Sequence, residues 1–317
     1  MTPEVLTLFI LNILFLLFAS IAFILAFKIH RFYDKSATDI RQYKLEKESY
    51  LSATIIKYIF AIKIPLFIFF IFTLEKISII LPGAMCSAGV VNATEYGVYL
   101  LILKLLNLYL FAYWVLLNAQ DMKSETQPYI KLKFQLFIPL YIFLVIEVML
   151  EATMFLSIDI KDVVDCCGVV FSSSDGSYIA EVIGAPAYIQ TSLFYTVFAM
   201  MNYAYYREKK GLFSILNVLF LLVSLTTLIG FFGTYIYEMP THHCPFCFLA
   251  KDYNYIGYIL YISLFTGTLF GSVLGLIKFE KKQQTRYFRL SMLFNWAYLL
   301  IISAYVWLYY LNNSVWL

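Results

Sequence analysis

Eight long apolar runs, each closed by charged or turn-forming residues, punctuate the chain at about 6–27, 53–74, 97–118, 135–157, 183–205, 212–236, 255–277 and 290–311. Each is near the roughly 20 residues that a helix needs to cross the hydrocarbon of a bilayer. Inside lipid a backbone must satisfy its own hydrogen bonds, so runs of this length predict helices. The expected fold is an all-α polytopic membrane bundle: a single transmembrane domain over 1–317, about eight crossings, and both termini on one side.

The polar segments between the runs assign that side. The connections 28–52, 119–134, 206–211 and 278–289 carry seventeen Lys and Arg. The opposite set, 75–96, 158–182 and 237–254 together with both ends, carries three: Lys76, Lys161 and Lys251. Basic residues concentrate on the cytoplasmic side of membrane proteins, so both termini are expected outside. The opening "MTPEVLTLFILN" has neither a basic segment nor an A-x-A cleavage pattern, and it reads as a first span, not a removed leader. The outer loops are too short to build a core of their own. They are expected to form a small extracytoplasmic Cys/His-rich cap.

Composition agrees with the pattern. The chain is 62% hydrophobic and 14% charged, against about 45–50% and 25% for soluble domains. A multi-pass protein of a bacterial cytoplasmic membrane, with lipid as its surroundings and no nucleic-acid partner, is the expectation. No Walker or Rossmann glycine pattern occurs, and "GTLFGSVLG" (267–275) reads as a small-residue face for close helix packing. No span contains a histidine and no C-x-x-C-H occurs, so haem is not expected.

The chemistry sits in the loops assigned to the outside. All five cysteines fall there: Cys86 in the first loop, Cys166 and Cys167 in the second, Cys244 and Cys247 in the third. The stretch "THHCPFC" (241–247) also holds two of the three histidines. Disulfides form and persist outside the cytoplasm. A C-x-x-C pair puts two sulfurs within reach of one bridge, and a proline after the first cysteine suits a helix start, where unpaired N–H groups favour thiolate. On the thiol–disulfide reading Cys244 attacks and Cys247 resolves. Cys166, Cys167 and Cys86 form a second pair or its anchor, and His242 and His243 stabilise the thiolate if protonated, or bind substrate. The partner is then a thioredoxin-like or cysteine-bearing periplasmic protein, and on a metal reading a metalloprotein.

The same residues support two other readings. Thiolates and imidazoles suit Cu(I) and Zn(II), and His242, His243, Cys244 and Cys247, with Cys166 and Cys167 or Cys86 completing the set, could supply a copper- or zinc-binding and delivery factor. Alternatively, five cysteines give two structural bridges and one left over, stapling the loops of a transporter or membrane-complex subunit.

The tetrad Cys244-Pro245-Phe246-Cys247 resembles the active-site motif of glutaredoxins. A redox pair in one outer loop with further cysteines in another is similar to the layout of the DsbB and vitamin K epoxide reductase families. That resemblance implies disulfides passed between loops and a quinone as electron acceptor; eight spans and an odd number of cysteines depart from both families.

Five charges lie inside the runs: Lys57 near the inner end of the second, and four deeper ones. Glu147 and Glu151, at i and i+4, share one face of the fourth run. Lys63 and Lys104 lie at matching depths in the second and third. Pairs Glu147–Lys63 and Glu151–Lys104 would leave the bundle interior neutral; proton delivery to a redox site or quinone is the functional alternative.

Overall fold

The computed structural model describes residues 2–34, 39–124, 127–159, 163–164 and 184–317, and their regular structure is helical throughout. The helices are α1 Pro3–Phe32, α2 Ile40–Ser78, α3 Ser87–Asn92, α4 Tyr96–Asp121, α5 Ile130–Ser157, α6 Ala187–Tyr206, α7 Lys210–Thr227, α8 Gly233–Tyr237, α9 Ile256–Leu276 and α10 Lys281–Asn313. A π turn at Leu228–Phe232 joins α7 to α8, making one span of 28 residues.

Seven of these segments are long and apolar enough to cross a membrane: α1, α2, α4, α5, the joined α7–α8, α9 and α10. The fifth expected crossing corresponds to α6, which is 20 residues long but carries five tyrosines and a polar Gln190-Thr191-Ser192 turn, and it is not among the seven. Several helices outrun the apolar runs that predicted them. α2 begins thirteen residues before its apolar run, capped by Asp39, whose side chain accepts from Gln42 N. The charged stretch "RQYKLEKESY" is rich in good helix formers and simply continues the turn.

The chain divides into two compact units, Met1–Pro82 with Val90–Val163, and Gly83–Gly89 with Val164–Leu317. The first is built on α1, α2, α4 and α5. Its core stacks Phe60 on Phe111 at 4.2 Å, with Trp114 and Phe137 around them and Ala19, Ala22 and Ala26 letting α1 approach closely. The outward face of α1 is equally apolar, with Ile13, Leu17 and Ile24 exposed. A soluble protein rarely shows such a face at this extent, and a bilayer covers it.

The second unit is built on α6 to α10 around Phe194, Phe220, Phe232 and Tyr298. Its helices meet over the glycine face of α9. A Cβ at Gly267 would lie 2.3 Å from the Asn295 side chain, and one at Gly271 would lie 2.1 Å from that of Asn217. The space is filled by a buried amide ladder instead. Asn217 Oδ1 accepts from Asn295 Nδ2 at 2.9 Å and from Ser291 Oγ at 3.1 Å, tying α7 to α10. Small residues and interhelical hydrogen bonds are how membrane helices associate, since hydrocarbon offers no hydrophobic drive between them.

Candidate functional site: a three-cysteine centre

Two loops of the second unit converge on one point. Cys86 follows a turn at Pro82-Gly83, where Gly83 has φ 83°, a conformation that glycine adopts without strain. Cys244 and Cys247 lie 158 and 161 residues further on, in the loop between α8 and α9. That loop opens with Glu238 in the left-handed region, which ends α8, and closes with Asn254 and Tyr255 in the same region. Gly257, in the first turn of α9, sits so close to Phe248 that a Cβ would lie 2.7 Å from the Phe248 side chain. The short 3₁₀ turn Cys247–Leu249 is thereby pressed onto α9.

Aromatic side chains fix this loop. Tyr237 stacks on Phe248 at 4.5 Å and meets Tyr253 and His242 edge-on. Its hydroxyl donates to the carbonyl oxygen of Cys244, and Tyr261 donates to that of Pro245 at 2.7 Å. The consecutive carbonyls of Cys244 and Pro245 are thus each held by a tyrosine hydroxyl.

The Cys244 sulfur has two other sulfurs as neighbours. Cys86 Sγ and Cys244 Sγ are 3.4 Å apart, and the ligating atoms of Cys86, Cys244 and Cys247 all lie within 4.8 Å of one another. No disulfide joins the three. Cys244 is buried, while Cys86 and Cys247 are partly exposed. The Cys244 thiol is lowered to about 4, first by the hydrogen bond from Cys247, then by that from Cys86 and by the backbone N–H groups of Phe246 and Cys247, against the cost of burial. The other two move oppositely. Hydrogen bonding to Cys244 raises Cys247 far above the usual thiol range and raises Cys86 as well. One negative charge, centred on Cys244 and solvated by two S–H donors, describes the trio at neutral pH.

The two histidines of this loop have different surroundings. Burial lowers the pKa of His242, and the Cys86 sulfur only partly opposes this; His242 is therefore neutral at pH 7 and supplies no cationic charge to the thiolate. Its Nε2 is buried without a hydrogen-bond partner. His243 Nδ1 contacts the carbonyl oxygen of Ile229 at 2.9 Å. Among the described residues, the group at metal-ligand spacing consists of the three cysteines, without either imidazole. Cys166 and Cys167 lie outside the described residues. Tyr237 and Tyr261 were not anticipated: tyrosines are so frequent in this chain, 27 in all, that nothing in the sequence marks these two.

The intramembrane charges form a separate site in the first unit. Lys63 Nζ donates to Glu147 Oε1 at 3.0 Å and to Asn12 Oδ1 at 2.8 Å. Lys104 Nζ donates to the same Glu147 oxygen at 3.0 Å and to Glu151 Oε2 at 2.8 Å. Asn107 Nδ2 completes the shell of Glu147 at 2.6 Å. All six residues are at least nine-tenths buried, and together they draw on all four long helices of the unit. Both expected pairs occur, but Glu147 bridges the two ammonium groups, so they form one network. Asn12 and Asn107 were not singled out from the sequence; the signal was an amide in an otherwise apolar run.

No protein-family model, no curated protein and no solved structure matches this chain. The function must be read from the site.

Proposed function

We propose that this is a multi-pass membrane thiol–disulfide oxidoreductase whose three-cysteine centre faces the extracytoplasmic side and exchanges electrons with a disulfide on a periplasmic partner. The convergence of three sulfurs from two distant segments, with the charge centred on Cys244, carries the reading. Thiolate, not thiol, attacks disulfides, and Cys244 has its thiolate stabilised before any substrate arrives.

The exchange runs in two steps. Cys244 S⁻ attacks one sulfur of the partner's disulfide; a Cys244–partner bond forms, the partner's S–S bond breaks, and its second sulfur leaves as thiolate and takes up a proton. Cys247 then loses its proton and attacks the Cys244 sulfur, forming the Cys244–Cys247 bridge and releasing the partner's first thiol. The centre is oxidised by two electrons and the partner's disulfide is reduced to two thiols; the reverse sequence oxidises the partner. Cys86, within reach of both sulfurs, holds Cys244 by hydrogen bond and can exchange into the bridge. Cys166 and Cys167 would pass the disulfide onward. Eight crossings, both termini outside, in a bacterial cytoplasmic membrane complete the reading, and the seventeen-to-three distribution of basic residues supports the sidedness.

Trapping tests it. A Cys86→Ser/Cys247→Ser variant, which lacks both neighbouring resolving sulfurs, should accumulate a mixed disulfide at Cys244 when treated with oxidised glutathione, mapped by mass spectrometry, where wild type resolves it. An adduct absent from Cys244, or spread evenly over the cysteines, contradicts the reading. The sulfur triangle also supports a second one, a Cu(I) or Zn(II) site with thiolate donors. Metal analysis of anaerobically purified protein separates the two: one tightly held ion per chain, lost in Cys86→Ser, favours the metal.

A further inference from the structure

The second unit carries another feature that thiol chemistry does not use. An open cavity of about 600 Å³ lies between the turn joining α6 to α7 and the turn joining α9 to α10. Lys210, Lys281 and Arg289 line it, opposed by Glu208 alone among the charged residues of its wall, and Tyr205 and Phe288 supply apolar surface. Both turns belong to the basic set of connections.

The wall is built, not a chance gathering of loose lysines. The α6–α7 turn is fixed by Glu208 in the left-handed region, with Lys209 N donating to Ala204 O at 3.0 Å, the helix-ending pattern that closes the last carbonyls. Phe288 is buried between Tyr205 and Phe213, at ring distances of 6.0 and 4.8 Å. Two helices begin at the cavity, α7 at Lys210 and α10 at Lys281. Neither has a side-chain cap hydrogen bond nor an acidic residue in its first turn; Glu280 stands at the N-cap position of α10 without capping it. The positive dipole ends of the two helices therefore add to three cationic side chains.

We infer that this cavity binds a phosphate-bearing anion, which in the membrane is the headgroup of an anionic phospholipid. The position among the basic connections fits that source, because basic pockets at the ends of membrane helices collect anionic headgroups. Its aromatic wall suits the glycerol region below the phosphate. A free phosphate anion offers the same chemistry, and the test distinguishes the two.

Purified full-length protein in zwitterionic detergent is titrated with phosphatidylglycerol in mixed micelles, with phosphatidylcholine, and with inorganic phosphate, following bound lipid by native mass spectrometry and thermal stability by circular dichroism. Phosphatidylglycerol should bind and raise the melting temperature, and phosphatidylcholine should do neither. At about fivefold per basic residue, the Lys281→Gln/Arg289→Gln pair should weaken binding about 25-fold. If that pair fails to fold, Lys210→Gln in the exposed first turn of α7 should still weaken it about fivefold. Saturable protection by inorganic phosphate with the same sensitivity to these variants assigns the site to a free anion. Equal binding of both lipids, or phosphatidylglycerol affinity unchanged in the variants, overturns the proposal.

Discussion

Replacing Glu147 with leucine should be among the most damaging single substitutions in the first unit, and a second substitution should largely repair it. Glu147 is 3% exposed and accepts from Lys63, Lys104 and Asn107. Each ion pair at 3.0 Å has a gross attraction of about 5 kcal/mol at an effective dielectric of about 20, offset by the cost of desolvating the charges. In the wild type two ammonium groups face two carboxylates and the network is neutral. Glu147→Leu leaves a net positive charge in the core. Lys104 retains Glu151, but Lys63 keeps only the amide oxygen of Asn12. Breaking a buried pair on one side costs about 3–5 kcal/mol, whereas replacing both partners by apolar residues is often nearly neutral. Glu147→Leu should therefore lower the melting temperature of the detergent-solubilised protein by at least about 6 °C. Lys63→Met should do comparable harm, and Glu147→Leu/Lys63→Met should recover most of the loss. Circular dichroism melts of the four proteins decide it. A double variant no more stable than the worse single, or a Glu147→Leu loss below about 1 kcal/mol, refutes the idea that charge balance governs this core.

Other consequences are simpler to check. With its pKa lowered to about 4, Cys244 is essentially all thiolate by pH 6, so in the fully reduced protein its rate of alkylation by iodoacetamide, followed by peptide mapping, should be flat between pH 6 and 8. An ordinary thiol, with a pKa of about 8.5, gains nearly tenfold per pH unit over that range. Because the hydrogen bond from Cys247 is the largest cause of the lowering, Cys247→Ala, which removes the donor, should move the alkylation profile of Cys244 upward in pH; an unmoved profile contradicts the assignment. Gly271→Ala drives a methyl group into Asn217 and should cost about 1–3 kcal/mol. Gly211→Ala, with nothing within 4 Å of the added atom, should be within about 0.5 kcal/mol of wild type or more stable; similar melts for the two would undo the packing account of the α9 face.

Much of this architecture was legible in hydropathy alone, because the bilayer imposes a length and a composition on every crossing. α9 begins and ends within a residue of its apolar run. What outran the pattern was helix beyond the hydrocarbon, as in α2 and α10, where charged helix formers propagate a turn that apolarity no longer marks. The π turn at Leu228–Phe232 leaves no period in the sequence. Depth matching along the apolar runs predicted the partners of Glu147 and Glu151 because a charge in lipid has few places to find its counter-ion; it missed Asn12 and Asn107, since one amide in a long apolar run is easily passed over. Which cysteines Cys86 joins stays open in the sequence, because its separation from Cys244 along the chain is long and it could as well pair with Cys166 or Cys167. The neutral state of His242 depends on burial, which spacing cannot reveal.

The claim on which the functional account depends is that Cys86, Cys244 and Cys247 act as one redox centre. Its most direct test is to equilibrate the Cys166→Ser/Cys167→Ser variant across a series of glutathione redox buffers, quench with acid, alkylate, and map bridges and alkylated thiols by mass spectrometry. The account predicts a single reversible two-electron transition, with one bridge among the three sulfurs and the third cysteine alkylated at every potential. Three cysteines that remain independently alkylated across the whole series, with no bridge among them, would contradict it.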